Sequence, residues 1–345
     1  MLTETRLLAV VMMLGIVSGC ASVRYASQAA HGQWQLMRAR RPIDRVIADP
    51  SSSDALKARL QLVKDAREFA VTDLDLPDNQ SYRTYSDLKR PFAVWNVVAT
   101  PEFSVTPLQW CFPFTGCISY RGYFHQQDAQ RFASGLAARG DDTLVAGVTA
   151  YSTLGHFADP VLNTMLRYGD DDMVATVFHE LAHQLIYVKG DSEFNESFAM
   201  TVEEEGLQRY LSARGRPQEF EAILTRHRHE QSIIKAVGAG RQELATLYAQ
   251  PLSADEKRAR KREVLQATGD RVLALEHEYQ LPLYDLWIKH GLNNAHLASI
   301  GTYYDCVPGF RQLLADHDGD LPAFYAVVRT MRRDPKARRA LCSIR

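Results

Sequence analysis

The size, composition and charge of the chain limit the classes of protein to which it can belong. Its 345 residues are 46% hydrophobic and 23% charged, which is ordinary for a globular protein with a substantial core, in one large domain or two smaller ones. The 40 Lys and Arg residues balance 41 Asp and Glu residues, for a net charge of −1. No basic excess therefore indicates nucleic acid, and we expect no nucleic-acid partner.

The N-terminus has the pattern of an export signal. One arginine precedes an apolar run from Leu7 to Val17, which is too short to span a bilayer comfortably and matches the apolar region of a secretory signal. The run leads into the sequence VSGC at residues 17–20, which resembles the lipobox of bacterial lipoproteins. This resemblance implies a signal peptide over residues 1–19 and a lipid on Cys20 that anchors the protein to a membrane. Ala21, in place of an aspartate, implies the outer membrane of the cell envelope, facing the periplasm. The alternative is an uncleaved N-terminal anchor with a chance cysteine.

Residues 20–80 have mainly helical patterns, and residues 82–151 have extended ones. In the first part, an amphipathic helix begins at an N-cap near Ser53, with apolar residues along one stripe. The second part contains runs rich in β-branched and aromatic residues, bounded by Pro, Gly or Asp. These runs predict the strands of a small sheet. They cover residues 92–100, 117–124 and 143–151.

Helical periodicity dominates residues 152–345. Because helices and strands are segregated along the chain, the sequence predicts an α+β fold that is predominantly α-helical, rather than a parallel α/β fold. We expect residues 20–345 to form a single domain. Two arginine-rich segments, 226–231 and 255–264, mix both signs of charge at helical spacing and are interpreted as solvated helix faces.

Four cysteines remain if Cys20 carries a lipid. An even number in an exported protein suggests disulfides, although three pairings are open from the sequence. Cys111 and Cys117 flank a Pro/Gly turn, FPFTG, that could bring them within bridging range, so this local bridge is favoured. Cys306 with Cys342 would then form the second bridge.

The segment around HELAH is the main candidate for chemistry. Aspartates suit the N-terminus of its helix, and we expect the helix to end at Lys189–Gly190. His179 and His183 are four residues apart, so both imidazoles project from one helix face and can bind one metal ion. Glu180 is rotated by roughly 100°, where it can serve as general base towards a water acidified by zinc. The alternative is a buried pair of histidines in a core.

A second amphipathic helix, over residues 192–215, supplies further carboxylates. Catalytic zinc usually has three protein ligands and an open position, and Glu196 is the natural third ligand. Glu203 is two turns further along the same face, where it can accept a hydrogen bond from a ligand imidazole. Glu204 and Glu205 point elsewhere, and we expect them to be solvated.

HELAHQ followed by NESFAMTVE resembles the gluzincin metallopeptidases, in particular zinc aminopeptidases. The resemblance implies a gluzincin-like catalytic domain with a small sheet beside the HExxH helix, zinc bound by His179, His183 and Glu196, and Glu203 buttressing a histidine. The sequence departs from that pattern in having only 12 residues between His183 and Glu196. A compact loop must therefore replace a longer one.

Most of the chain also resembles a bacterial family of predicted aminopeptidase lipoproteins. The matching segments include GQWQL, RRPIDRVIADP, WCFPFTGCISYRGYF and TYYDCVPGF. This resemblance favours Tyr303 as the residue that stabilises negative charge in the transition state. The GAMEN motif, which would indicate an acid that holds the substrate α-amine, is absent.

The sequence as a whole predicts a lipid-anchored metallopeptidase with one zinc ion and a peptide substrate. Aminopeptidase activity is the leading interpretation because of the resemblance, and endopeptidase activity is the alternative. A non-catalytic envelope scaffold or binding lipoprotein, with a structural or degenerate metal site, is a further alternative.

Overall fold

A computed structural model describes residues 24–112, 116–150, 152–153, 157–300 and 306–344. The predicted signal peptide and lipidation site at Cys20, as well as Tyr303, lie outside the described residues. In the part that is described, none of the helices combines the length and the apolar character that crossing a membrane requires.

Helices near the N-terminus form one side of the main core. α1 covers residues 24–38, α2 covers Ile43–Ala48 and α3 covers Asp54–Thr72. The predicted cap is present, because the Ser53 hydroxyl accepts a hydrogen bond from the Leu56 backbone N–H at the start of α3. The apolar stripe of α3 is buried and packs against the helix that carries HELAH.

The strands of the described chain form three small sheets. Their strands are β1 (Arg41–Pro42), β2 (Thr84–Ser86), β3 (Val94–Thr100), β4 (Trp110–Phe112), β5 (Gly116–Ile118), β6 (Arg121–Tyr123), β7 (Asp142–Val148) and β8 (Val161–Leu162). The antiparallel sheet β6-β3-β7 is covered by α4 (Gln126–Ala137). The predicted run 117–124 is divided into β5, which pairs with β4, and β6, which pairs with β3.

The remainder of the described chain is helical, apart from one short 3-10 turn at Met165–Arg167. The helices are α5 (Asp170–Leu185), α6 (Ser192–Ala213), α7 (Pro217–Tyr248), α8 (Ala254–Tyr279), α9 (Asp285–His290), α10 (Asn294–Ser299), α11 (Val307–Ala315), α12 (Leu321–Met331) and α13 (Pro335–Cys342). The predicted α+β class with predominant helix is therefore confirmed. Val94 at the start of β3 belongs to the same buried core as α5 and α6.

Both predicted disulfides are present in the structure. Cys111 and Cys117 face each other across the β4–β5 pair. Cys306, at the start of α11, is bonded to Cys342, at the end of α13. The second bridge ties the C-terminal helix to α11, whose Phe310 packs against α6.

Candidate metal centre

The turn between α5 and α6 brings the two candidate ligand helices side by side. α5 ends at Leu185, earlier than predicted, because Ile186 takes an extended conformation. Gly190 then has a φ of +79°, a left-handed conformation that glycine adopts readily. Asp191 caps α6 by accepting a hydrogen bond from the Phe194 N–H. The short connection therefore allows the chain to turn back so that α6 lies beside α5.

Asn195 closes this connection from inside. Its side-chain oxygen accepts a hydrogen bond of 2.7 Å from the Val188 N–H, and its amide donates one of 2.8 Å to the Val188 carbonyl. The Asn195 side chain is buried, so both bonds are shielded from water. This pair holds the loop against the first turn of α6 and places Glu196, the next residue, opposite α5.

The structure brings His179, His183 and Glu196 together, so the short loop does not prevent Glu196 from reaching the histidines. His179 Nε2 lies 3.1 Å from His183 Nε2 and 3.3 Å from Glu196 Oε2. His183 Nε2 lies 3.5 Å from Glu196 Oε1. Within the described part of the chain, these three residues form the one cluster of His, Cys, Asp or Glu that could hold a metal ion.

The spacing of these atoms suits tetrahedral coordination. Zinc binds histidine nitrogen and carboxylate oxygen at about 2.0–2.2 Å, so adjacent ligand atoms of a tetrahedral site are about 3.3 Å apart. The three observed separations of 3.1, 3.3 and 3.5 Å bracket that value. Two imidazoles and one carboxylate also match the donor set of catalytic zinc sites, in which a fourth position stays open. The residues present therefore fit a zinc ion.

Glu203 orients one of the two histidines. Its Oε2 lies 2.9 Å from His179 Nδ1, so that nitrogen donates a hydrogen bond and Nε2 is left to face the other ligand atoms. His183 differs, because its Nδ1 is buried and lacks a hydrogen-bond partner among the described residues. Among the described residues, the Nδ1 atom of His179 is therefore hydrogen-bonded to a carboxylate and that of His183 is not.

The electrostatics of the cluster favour a cation at its centre. Burial lowers the pKa of His179, but hydrogen bonds to Glu196 and Glu203 outweigh burial and hold this pKa well above its usual range. Burial would raise the pKa of Glu196, yet its bonds to His179 and His183 lower it. The two carboxylates beside His179 therefore favour a positive charge between them, which a proton or a metal ion can supply.

Glu180 is separate from the ligand cluster, although it belongs to the same helix turn. Burial raises the pKa of Tyr82, and the negative charge of Glu180 raises it further. The same charge also raises the pKa of Asp159, whose main cause of elevation is burial. Glu180 is therefore near the buried residues Tyr82 and Asp159, and it is not one of the clustered ligands.

Tyr187 is a neighbour of the site that the sequence interpretation did not include. Its ring meets the ring of His183 edge to face, with centroids 6.5 Å apart. Burial raises the pKa of the Tyr187 phenol, and the charge of Glu196 raises it further. Tyr187 follows His183 by four residues, and this helical spacing could have identified Tyr187 from the sequence. α5 nevertheless ends before Tyr187.

Glu204 corrects one prediction about α6. It is buried, with 6% of its surface exposed, instead of being solvated. The Arg311 guanidinium donates hydrogen bonds of 3.0 and 2.5 Å to Glu204 Oε2, and His227 Nδ1 lies 3.4 Å from Oε1. The adjacent face of α6 is covered by α7 and α11, which carry these two partners.

The Glu204–His227 pair predicts a measurable pH dependence of stability. The hydrogen bond that His227 donates to Glu204 raises the pKa of His227 and outweighs the lowering by burial. Because the folded pKa exceeds the unfolded value of about 6.5, this contribution is fully present below pH 6.5 and is lost as the pH rises through the folded pKa. We expect His227→Gln to lower the free energy of unfolding by about 1 kcal/mol at pH 5.5, and by less at pH 9.

Urea unfolding at a series of pH values measures this difference. His125→Gln is the matched control, since His125 is exposed and contacts no carboxylate among the described residues. A destabilisation by His227→Gln that grows with pH would contradict the prediction.

Comparison with known proteins adds one finding. Residues 24–342 match the model of a protein family described as "Putative aminopeptidase". No curated protein and no solved structure matches the chain.

Proposed function

The chain belongs to the family described as "Putative aminopeptidase", and from this premise we propose that it is a zinc metallopeptidase. The observation that carries the proposal is the triangle of His179 Nε2, His183 Nε2 and the Glu196 carboxylate, whose Oε2 and Oε1 are the atoms near the first and the second histidine. Its edges suit tetrahedral zinc, and the donor set is that of catalytic sites with an open position. Peptide is the proposed substrate, and removal of N-terminal residues is the leading activity.

In this proposal His179, His183 and Glu196 hold one zinc ion. When bound, zinc supplies Lewis acidity, which makes water nucleophilic near neutral pH and polarises a carbonyl oxygen. The Glu180 carboxylate accepts the proton of the attacking water and delivers it to the departing amine nitrogen as the peptide C–N bond breaks. The products are a carboxylic acid and an amine, so the water is fully accounted for.

Other residues of the chain position these groups. Glu203 accepts the hydrogen bond from His179 Nδ1 and fixes the tautomer in which Nε2 has a free lone pair. Tyr303 remains the proposed donor to the developing negative charge, on the strength of the resemblance. We also propose that Cys20 carries the lipid and holds the protein at the outer membrane, facing the periplasm.

The first test combines metal analysis with hydrolysis of aminoacyl reporters. We expect about one zinc per chain, and at least a roughly 100-fold loss of hydrolysis on chelation that added zinc reverses, because the nucleophile depends on the metal. Reporters with an acetylated α-amine serve as the control for exopeptidase action, since an aminopeptidase requires the free amine. A metal-free protein, or hydrolysis that survives chelation, would contradict the proposed function.

A further inference from the structure

A cavity of about 960 Å³ adjoins the candidate metal centre. His183 lines it, and so do Gln184 and Tyr187, which follow His183 in the chain. The volume is at the upper end of the range in which proteins enclose small ligands, about 300–1,000 Å³. A molecule that occupies this cavity therefore lies directly beside a proposed metal ligand.

The lining of the cavity is strongly basic. Five cationic residues line it, and no carboxylate occurs among the described residues that do so. The cations are Lys189, Arg329, Arg332, Arg333 and Arg338. The chain as a whole carries a net charge of −1, so this concentration of positive charge is a local feature of one cavity.

Arg338 has a structural partner, but three other arginines do not. Arg338 Nε donates a 2.7 Å hydrogen bond to Asp191, the cap of α6. Arg329, Arg332 and Arg333 are exposed, and the described residues include no ion pair with any of the three. Exposed like charges repel one another. The repulsion among these three arginines is therefore reduced by a bound anion or by surrounding water.

The two arginine-rich segments noted in the sequence behave differently. Arg226 forms an ion pair with Asp172, and Arg258 Nε lies 2.6 Å from Glu102 Oε1. Arg226 and Arg258 are therefore neutralised by carboxylates from other parts of the chain. Arg329, Arg332 and Arg333 have no such ion pair among the described residues, and all three line one cavity.

Helix geometry explains only part of the basic cluster. Cations in the last turn of a helix interact favourably with its dipole, and Arg329 lies in the last turn of α12. α12 ends at Met331, so Arg332 and Arg333 come after the helical residues. A guanidinium forms paired hydrogen bonds with a carboxylate, and a cavity wall with three of them is suited to that group.

We propose that this cavity binds carboxylate groups of the peptide substrate, so that the enzyme prefers short or acidic peptides. The inference rests on the proposed peptidase function, because His183 joins the cavity to the centre where the peptide bond would be cleaved. The carboxylate has two sources, the C-terminus of a short peptide and the side chains of Asp or Glu. Both present the same planar anion to Arg329, Arg332 and Arg333.

Matched pentapeptides test the proposal. Leu-Ala-Glu-Glu-Ala and Leu-Ala-Gln-Gln-Ala, each with a free or an amidated C-terminus, are compared by kcat/KM for release of the first residue. We expect the acidic, free peptide to exceed the neutral, amidated one about 10-fold at low salt, and less at high salt. The acidic, amidated peptide and the neutral, free peptide each keep one source of carboxylate. Their kcat/KM values therefore show whether the side chains or the C-terminus account for the preference.

The variant R329Q/R332Q/R333Q should reduce this ratio to within about twofold of one. R45Q/R228Q/R262Q is the matched control, because it removes the same charge from exposed arginines outside the cavity, and it should keep the ratio. A wild-type ratio near one, or a ratio that the first variant leaves unchanged, overturns the inference while the proposed function stands.

A binding measurement separates the two proposals if wild type hydrolyses none of the peptides. Fluorescently labelled versions are titrated with Glu180→Gln protein, and anisotropy is recorded. If the protein binds the acidic peptide more tightly and R329Q/R332Q/R333Q abolishes this preference, the inference is supported although the peptidase proposal has failed. If the protein binds all the peptides equally, the inference is overturned. The protein could instead bind vesicles of anionic lipid through these arginines and show no preference among the peptides. This result would assign the arginines to a membrane surface and would also overturn the inference.

Discussion

Replacing Glu180 with glutamine is expected to lower kcat for peptide hydrolysis about 10³-fold. Glutamine keeps the size and polarity of the side chain but cannot accept the proton of the attacking water, and proton transfer by a positioned group contributes about 10²–10⁴-fold to rate. Because Glu180 lies outside the ligand cluster, zinc content should stay at the wild-type level. Steady-state kinetics and metal analysis on the same preparation measure both effects.

Glu263→Gln is the matched control for this substitution. Glu263 is an exposed acid on α8, and its replacement should leave kcat and zinc content unchanged. Retention of kcat within tenfold in Glu180→Gln would exclude Glu180 as the general base. Loss of zinc together with activity would instead assign Glu180 to the ligand set.

Glu196→Ala is expected to weaken zinc binding more than Glu203→Gln does. The two oxygens of the Glu196 carboxylate lie 3.3 Å from His179 Nε2 and 3.5 Å from His183 Nε2, so its removal takes away a ligand. Glu203 only orients His179, and loss of such an outer partner typically costs 10–100-fold in metal affinity. We therefore expect a loss above about 100-fold for Glu196→Ala.

Competition with a chromogenic zinc chelator measures these affinities. Glu205→Gln serves as the control, because Glu205 is on the same helix and pairs with Arg209 at 2.7 Å instead of contacting the histidines. Wild-type affinity in Glu196→Ala would refute the proposed ligand set. Equal losses in Glu196→Ala and Glu203→Gln would indicate that Glu203 itself binds the metal.

Local sequence patterns predicted the parts of the site that depend on helix periodicity. His179 and His183 are one turn apart on α5, and their Nε2 atoms are 3.1 Å apart, because an i, i+4 pair projects from one face of any helix. The same reasoning placed Glu203 on the face of α6 that carries Glu196. The start of α3 at Ser53 likewise depends on a cap that only neighbouring residues form.

Predictions that required knowledge of packing were less accurate. The end of α5 at Leu185 depends on the extended conformation of Ile186 and on the bonds between Val188 and Asn195. The sequence of α6 predicts that Glu204 and Glu205 are solvated, but Glu204 is buried. Its face is covered by α7 and α11, which come from later parts of the chain, so the sequence of α6 alone could not reveal its environment.

The sequence by itself determined the α+β class, the two ligand helices and the identity of the candidate metal ligands, because helical periodicity acts over a few residues. Only the tertiary structure decided whether Glu196 reaches the histidines across the short connection between α5 and α6, with 12 residues between His183 and Glu196. It also decided which charges surround them. The basic cavity joins residues 183–189 to residues 329–338, and charges so far apart in sequence combine into one electrostatic environment only when folding brings them to a common surface.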